Sequence, residues 1–397
     1  MKENKKNTML IIELFFSFIA FFIILSFVFK SLDNAKIPLG IEYKNVNELL
    51  LQVPNVPWDS AKQTIDQIYT YLNDYPGVES TGLLYSSYVF STGYMRPHKS
   101  LIYNGEKINP DDVELIGATD EIEDILHIGM LEGRWFNSSD DALNNRPCII
   151  DRELKQKIFG NEKALGEIID YCDQKCIVIG ICESFKHKGD YTLPALLFIV
   201  RHTQTEGLAY DNSYCVSGSS CRQARFVRFN RNASTTIQED LSKAIFSRFP
   251  GYIITFVSLE SQHIKYLRKT WIPLLAVLFV VLFLFINVLL GLFGILWYQI
   301  SLKKKEIGLR VAVGANKFHI YKQFIGEMFR VATLGIVPGI IVAAQFPILK
   351  VFRIETNIYL LGIFATIIII YLLVTLCALL PSAQAAKIQP AVALHEE

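Results

Sequence analysis

Apolar residues are gathered into four blocks along this chain. Met9–Phe29 is apolar apart from Glu13 and two serines, and a long polar stretch follows it. Trp271–Ile300, Met328–Leu349 and Ile358–Leu380 then crowd the C-terminal part of the chain, the third block interrupted by Arg330 near its start. At about 1.5 Å per residue, each block is long enough to cross roughly 30 Å of hydrocarbon as a helix. Lys2, Lys5 and Lys6 imitate the basic start of a signal peptide. However, the first run exceeds an h-region of about 7–15 residues and no A-x-A-like site follows, so it reads as a retained anchor. Trp271 at one end of the second block and Trp297 and Tyr298 at the other fit interfacial belts. That block is longer than one crossing needs, which predicts tilt or a helical extension beyond the bilayer.

The polar stretch carries weaker, mixed patterns. Ile41–Val53 alternates loosely and predicts a strand ending at Pro54. Asp59 can cap a helix running to about Asn73, with Ala61, Ile65, Ile68 and Leu72 near helical spacing and Pro76-Gly77 as its stop. A similar unit recurs later: helix over Thr235–Phe249, breaker at Pro250-Gly251, strand over Tyr252–Val257. Between them lie short strands at Pro147–Ile150, Cys176–Cys182 and Leu196–Val200. The expected class is an α+β membrane protein: four transmembrane helices, with a large mixed α/β domain of two subdomains between the first and second. One subdomain is discontinuous, over residues 36–103 and 205–265; the other, mainly β, is inserted at 104–204.

Basic residues orient the spans. Lys2, Lys5 and Lys6 precede the first, and Lys303, Lys304, Lys305, Arg310, Lys317 and Lys322 follow the second. The turn between the third and fourth offers Lys350 and Arg353 with Glu355. The positive-inside rule therefore puts both termini in the cytoplasm and residues 31–268 outside it. The expected division is an N-terminus at 1–8, spans at 9–30, 271–300, 323–349 and 357–380, a cytoplasmic segment at 301–322 and a tail at 381–397. Lys+Arg 39 against Asp+Glu 38 gives no electrostatic reason to expect nucleic acid; membrane lipid is the expected surface partner.

Six of the seven cysteines fall in the outer segment: Cys148, Cys172, Cys176, Cys182, Cys215 and Cys221. An oxidising compartment permits disulfides there. Cys172/Cys176 and Cys215/Cys221 are close enough for short staples, although connectivity is not encoded in spacing. Zinc is the alternative, but no histidine sits at ligand spacing from either pair, so no metal site is expected. The sequons at Asn137 and Asn232 are common chance tripeptides. Gly218-Ser219-Ser220-Cys221 has no identifiable base and reads as a loop. There is no H-E-x-x-H, no G-x-S-x-G and no carboxylate pair assignable to one cleft, so no catalytic residue is expected. Within the membrane, Glu13 reads as a carboxylate snorkelling to the interface, because a charge at a helix centre costs about 2.5–3.5 kcal/mol. Gly335-Ile-Val-Pro-Gly339 reads as a close-packing helix face with a kink.

The segment after the second span carries the sharpest pattern. Lys303, Glu306 and Arg310 fall on one helical face, flanked by Ile307 and Val311, and Glu306 stands four residues before Arg310. That order stabilises an exposed helix by about 0.3–0.5 kcal/mol. Gly314 can end the helix and Asn316 can cap the next. The ordinary reading is a juxtamembrane helix on anionic lipid; the sharper one is a lever that docks on a cytosolic motor.

Lys304-Lys-Glu-Ile-Gly-Leu-Arg-x-Ala-x-Gly-Ala, with Ile320 and Glu327 beyond it, resembles the signature of MacB-type ABC transporter permeases, the FtsX-like group. The tail from Pro381 to Leu394 is similar to that family's, and Gly133-Arg-Trp-Phe136, Asp140, Phe159-Gly160, Gly166 and Val178–Ile181 resemble its inserted subdomain. The resemblance implies a permease working with a cytosolic ABC ATPase and a second permease copy or sister, driving its outer domain by motion transmitted through the membrane helices. It implies efflux or envelope export, in some relatives with a periplasmic adaptor and outer-membrane channel. Its alternative is an FtsX-like regulator of an envelope hydrolase or signalling partner that moves no cargo. Either use implies a bacterial cytoplasmic (inner) membrane location. Lys305, Glu306, Ile307, Gly308, Arg310, Gly314 and Ala315 are the residues expected to contact the ATPase or shape that contact. The family's namesake carries a fused ATPase. Here residues 1–8 precede the first span and no G-x-x-x-x-G-K-[ST] loop occurs. ATP and its magnesium are therefore expected on a separate partner, with no cofactor bound by this chain.

Overall fold

In the computed structural model, residues 2–54, 56–85, 89–90, 100–109, 113–171, 174–202, 220–230, 236–302, 317–349 and 351–385 are described. The chain divides into two compact units, residues 1–33 with 271–397, and residues 34–270.

In chain order the elements begin with α1 (Lys2–Lys36), β1 (Val46–Gln52), α2 (Trp58–Asn73) and β2 (Val78–Tyr85). The hairpin β3 (Leu101–Tyr103) and β4 (Glu106–Ile108) leads to β5 (Val113–Ala118), α3 (Ile122–Leu126) and β6 (Met130–Gly133). Next come β7 (Arg146–Asp151), α4 (Arg152–Phe159), β8 (Ile168–Tyr171), β9 (Gln174–Cys182) and β10 (Leu196–Arg201). The outer unit closes with β11 (Ser220–Phe229), α5 (Ile237–Arg248) and β12 (Ile253–Ser258). Helices α6 (Leu259–Leu302), α7 (Lys317–Ala343), α8 (Gln345–Ile348) and α9 (Thr356–Ala385) complete the described chain.

The helix periodicity at Ala61, Ile65, Ile68 and Leu72 is realised as a buried stripe on α2. It packs with Leu241 and Ile245 of α5 over Leu49, Leu51, Val227 and Ile254 of the sheet. Both helices stop before glycines in the left-handed region, Gly77 at φ 95° and Gly251 at φ 90°. The loosely alternating strand begins five residues later than its pattern suggests. Asn45 takes φ 59°, which turns the chain out of extended geometry just before Val46.

The strands hydrogen-bond in the order β12-β1-β11-β2-β5-β10-β7-β9-β8-β3-β4, with β6 on β9. Strands β12, β1, β11 and β2 are antiparallel neighbours. Among the described residues they meet the strands of the middle stretch through two pairs, Leu84↔Ala118 and Tyr85↔Gly117. On that far side β5 pairs β10 and β7 pairs β9 in parallel. The near-continuous apolar runs Cys148–Ile150 and Leu197–Val200 suit such pairs, buried on both faces. The two apolar clusters there are built on Ile116, Ile125, Trp135, Leu197 and Ile199, and on Cys148, Leu154, Phe159, Val178 and Phe198.

Among the described residues four helices are long and apolar enough to cross a membrane: Thr8–Lys36, Leu259–Leu302, Ile325–Ile348 and Thr356–Ala378. The second exceeds the apolar block seen in sequence because it begins at Leu259, twelve residues before Trp271. Its added turns carry Lys265, Arg268 and Lys269, charges that a hydropathy pattern excludes from a span but that a helix tolerates in water.

Candidate functional site: the membrane bundle and the segment between its second and third helices

Helix α1 is the hub of the membrane unit, and it sits in notches cut by glycines. A Cβ added at Gly335 would lie 2.9 Å from Leu14 Cβ and 3.0 Å from the Ile11 carbonyl oxygen. At Gly339 it would lie 2.6 Å from the Phe18 ring, and at Gly362 2.5 Å from Ser26 Oγ. The Gly335/Gly339 pair on α7 therefore works as its spacing suggests, letting two helices approach closely without a large apolar driving force between them. Leu10, Leu14, Phe18 and Phe22 of α1 fill the resulting core with Met328, Ala332 and Ile336 of α7 and Tyr359 and Ile370 of α9.

Glu13 is placed differently from the interfacial reading. A Cβ at Gly291 of α6 would meet Glu13 Oε2 at 2.9 Å, so the carboxylate fills a glycine notch between helices. The helical turn explains this: Glu13 stands three residues after Leu10 and four before Ser17, both buried, and so shares their packed face of α1. At the other end of α1, the Lys30 ammonium donates to the Phe352 carbonyl at 3.2 Å. Phe352 holds the turn before α9 at φ 59°, its ring 5.1 Å from that of Phe27.

The residues expected to engage an ATPase, Lys305, Glu306, Ile307, Gly308, Arg310, Gly314 and Ala315, lie outside the described residues. The described flanks are helical. Helix α6 runs to Leu302, with Ser301 Oγ donating to the Trp297 carbonyl, and α7 starts at Lys317.

The cysteines divide by strand position. Cys148 and Cys176 face the same core from neighbouring strands, and burial pushes the Cys148 thiol well above its ordinary value. Cys176, one half of an expected short staple, is buried because the β9 alternation turns it inward. Cys172 and Cys215 lie outside the described residues, as does the side chain of Cys221. No group of three or more His, Cys, Asp or Glu side chains positioned for a metal occurs among the described residues.

Two ion networks brace the outer unit. Arg201 donates Nε and Nη2 to both oxygens of Asp120 at 2.7 and 2.8 Å, and Nη1 to Asp141. Arg134 forks onto Asp140, whose carboxylate also accepts the Asn137 amide. Burial alone would raise Asp140, but the Arg134 bonds outweigh it and hold the carboxyl below its usual range. Glu114 behaves alike: burial opposes, and His187 with Lys188 prevails. Both groups release their protons more readily folded than unfolded. They therefore stabilise the fold above the ordinary carboxylate range and lose that contribution as pH falls through their lowered values. Asp151 has the opposite sign, because burial raises it despite bonds from Ser184, Leu197 and Leu154. The melting temperature, followed by tryptophan fluorescence of the whole chain in detergent, is expected to drop below about pH 4, and less steeply in Glu114→Gln. Equal acid slopes for the two proteins would contradict the Glu114 assignment.

The MacB-like periplasmic core domain matches residues 18–225, more than half of the chain, and the FtsX-like permease C-terminal domain matches residues 274–390. The chain belongs to the MacB-like, FtsX-like permease family. The macrolide export ATP-binding/permease protein MacB 1/2 of Paracoccus denitrificans is 26% identical over 71% of this chain and 42% of its own length. Its counterpart MacB in Pasteurella multocida is 25% identical over 72% of this chain and 43% of its own. This MacB-like permease thus spans less than half the length of those relatives. The periplasmic region of MacB from Actinobacillus actinomycetemcomitans aligns with a TM-score of 0.38 at 16% identity, over 58% of this chain and 94% of that one. The extracellular domain of the transporter YknZ from Gram-positive bacteria gives 0.34 at 16% identity, over 53% and 100%.

The signature that raised the family in sequence lies in the segment between α6 and α7, within the FtsX-like match. The glycine notches on α1 and the Glu13–Gly291 contact were not legible there as a set, since each joins residues hundreds of positions apart.

Proposed function

We propose that this chain is the permease subunit of an ABC transporter for efflux or envelope export. In this reading a separate cytosolic ATPase docks on the 303–316 segment, and the outer unit moves in response to nucleotide. Two permease copies, or this chain and a sister, pair around two ATPases. The observation that carries the reading is the joint match of a MacB-like periplasmic core and an FtsX-like C-terminal region on one chain, with the basic, glycine-ended signature between α6 and α7. The relatives' names give export as the direction of transport. Both termini face the ATPase. In this reading ATP and magnesium sit on the ATPase.

Glu306 and Arg310 supply the charged face of the docking helix. Reversing both, Glu306→Lys with Arg310→Glu, is expected to cut permease-stimulated ATP hydrolysis about tenfold while membrane insertion persists. Co-purification of the reconstituted complex and its phosphate-release rate measure this. A double variant that binds and stimulates its ATPase like the parent chain overturns the docking assignment.

A further inference from the structure

Only two helices carry the chain between the membrane unit and the outer unit: α1, crossing at Asp33/Asn34, and α6, crossing at Thr270/Trp271. Along the chain, a displacement of the membrane helices passes into the outer unit through the last turn of α1 and the first turns of α6. The outer-unit residues that grip both ends are therefore the ones that decide where such a displacement goes.

One segment of the outer unit grips both. It is the connection 183–192, between β9 and β10. Lys186 is fully buried, and its ammonium donates to three backbone carbonyls: Asn34 at 2.5 Å, Ile37 at 2.6 Å and Asp190 at 2.9 Å. Asn34 is in the last turn of α1 and Ile37 follows its end; the Asn34 carbonyl also accepts the Ile37 amide at 3.2 Å, and the negative end of a helix favours a cation. The Asn34 side chain donates in return to the Tyr191 carbonyl at 2.9 Å, and the Lys186 amide donates to the Leu39 carbonyl at 2.8 Å.

On the α6 side, Asp190 Oδ2 lies 2.6 Å from His263 Nε2. His263 packs against the rings of Tyr43 and Phe90 at 4.7 and 4.6 Å, and those two rings meet each other edge to face at 5.3 Å. Gly189 takes φ 88° and lies flat on Tyr266, where a Cβ would come within 3.0 Å of the ring. The third hold is on the sheet: Glu114 of β5 pairs with both His187, at 2.6 Å, and Lys188. The segment then continues directly into β10, which lies beside β5 and β7.

We infer that residues 183–192 form a strap that couples the ends of α1 and α6 to the parallel strands β5, β7, β9 and β10, with Lys186 as its anchor on α1 and Asp190–His263 as its clasp on α6. A loop with surface-loop duties alone has no reason to bury a lysine ammonium among three backbone carbonyls. Burial lowers the Lys186 pKa, the mark of a charge that is held there at a cost in desolvation. Breaking either hold leaves both units folded around their own cores but lets the helix ends move without dragging the strands.

The strap rests on the mechanotransmission reading above, and the test separates the two. The full chain, reconstituted with its ATPase, is followed by hydrogen exchange with and without ATP trapped by vanadate. In the parent protein, nucleotide is expected to change exchange both in residues 34–39 and 259–270 and in β5, β9 and β10. In Lys186→Met and, separately, in Asp190→Asn with His263→Gln, the change at the helix ends should persist. The change in the strands should shrink about fivefold or more, the size of an ordinary coupling energy between sites. The clasp variant leaves Lys186 and its three carbonyl bonds in place and serves where Lys186→Met folds poorly, as judged by its melting temperature. Strand responses that survive intact in the clasp variant, or in a folded Lys186→Met, overturn the strap alone. A parent protein with no nucleotide response at the helix ends overturns the proposed function, and the strap with it.

Discussion

Gly180→Ala is expected to destabilise the outer unit by about 3 kcal/mol or more, a large effect for one methyl group. A Cβ at Gly180 would lie 2.4 Å from the Arg134 carbonyl oxygen and 2.6 Å from Met130 Cε. Across the β6–β9 pairing, Gly133 opposes it in the reciprocal position, with φ 74° and a Cβ site 2.2 Å from the Ile179 oxygen. Two backbones therefore touch where side chains would normally separate them, and neither strand can retreat without opening the core around Trp135 and Ile149. The comparison is Gly105→Ala in the β3–β4 turn. There φ is 83° but nothing lies within 4 Å of the added carbon, so only left-handed strain remains, at about 1 kcal/mol. Urea melts of the two variants, followed by tryptophan fluorescence, should separate them clearly. Similar midpoints would mean that β6 and β9 are not in contact as described.

Gly335→Leu is the matching experiment in the membrane unit. The added side chain meets the Leu14 Cβ and the Ile11 carbonyl, both fixed by the α1 backbone, so α1 must lift off α7. Loss of that contact is expected to cost about 2–4 kcal/mol, since packing and not water drives helix association in lipid. Gly326→Leu on the same helix adds the same bulk where nothing lies within 4 Å, and should be close to neutral. Thermal shift in mild detergent reads both. A Gly335→Leu protein as stable as its Gly326→Leu control would show that α1 does not occupy the α7 notch.

These experiments fall where sequence was silent or only half legible. The GxxxG spacing at Gly335 and Gly339 announced a packing face, but not that α1 would fill it with Leu14 and Phe18. Glu13 read as a carboxylate reaching for the interface and instead sits against Gly291, because the helix that meets it lies nearly three hundred residues away in sequence. Segment 183–192 carries no periodic pattern or motif in sequence. Its lysines, histidine and aspartate acquire meaning only when Asn34, Glu114 and His263 are brought to them.

What sequence determined by itself was everything carried by local periodicity. Long apolar runs marked the four spans, 3.6-residue spacing marked the buried face of α2, and a Pro-Gly breaker marked the end of α5. Short β-rich runs fixed β7, β9 and β10, and one basic signature with its glycines led to the family. These signals are local because a helix or strand exposes its buried face within a few residues of itself. The tertiary structure decided which strands are parallel neighbours, where β6 and β9 touch backbone to backbone, which helix α1 packs into, and which loop holds both helix ends. Those contacts close long loops, and the free energy that selects them comes from surfaces that do not exist until the chain has folded.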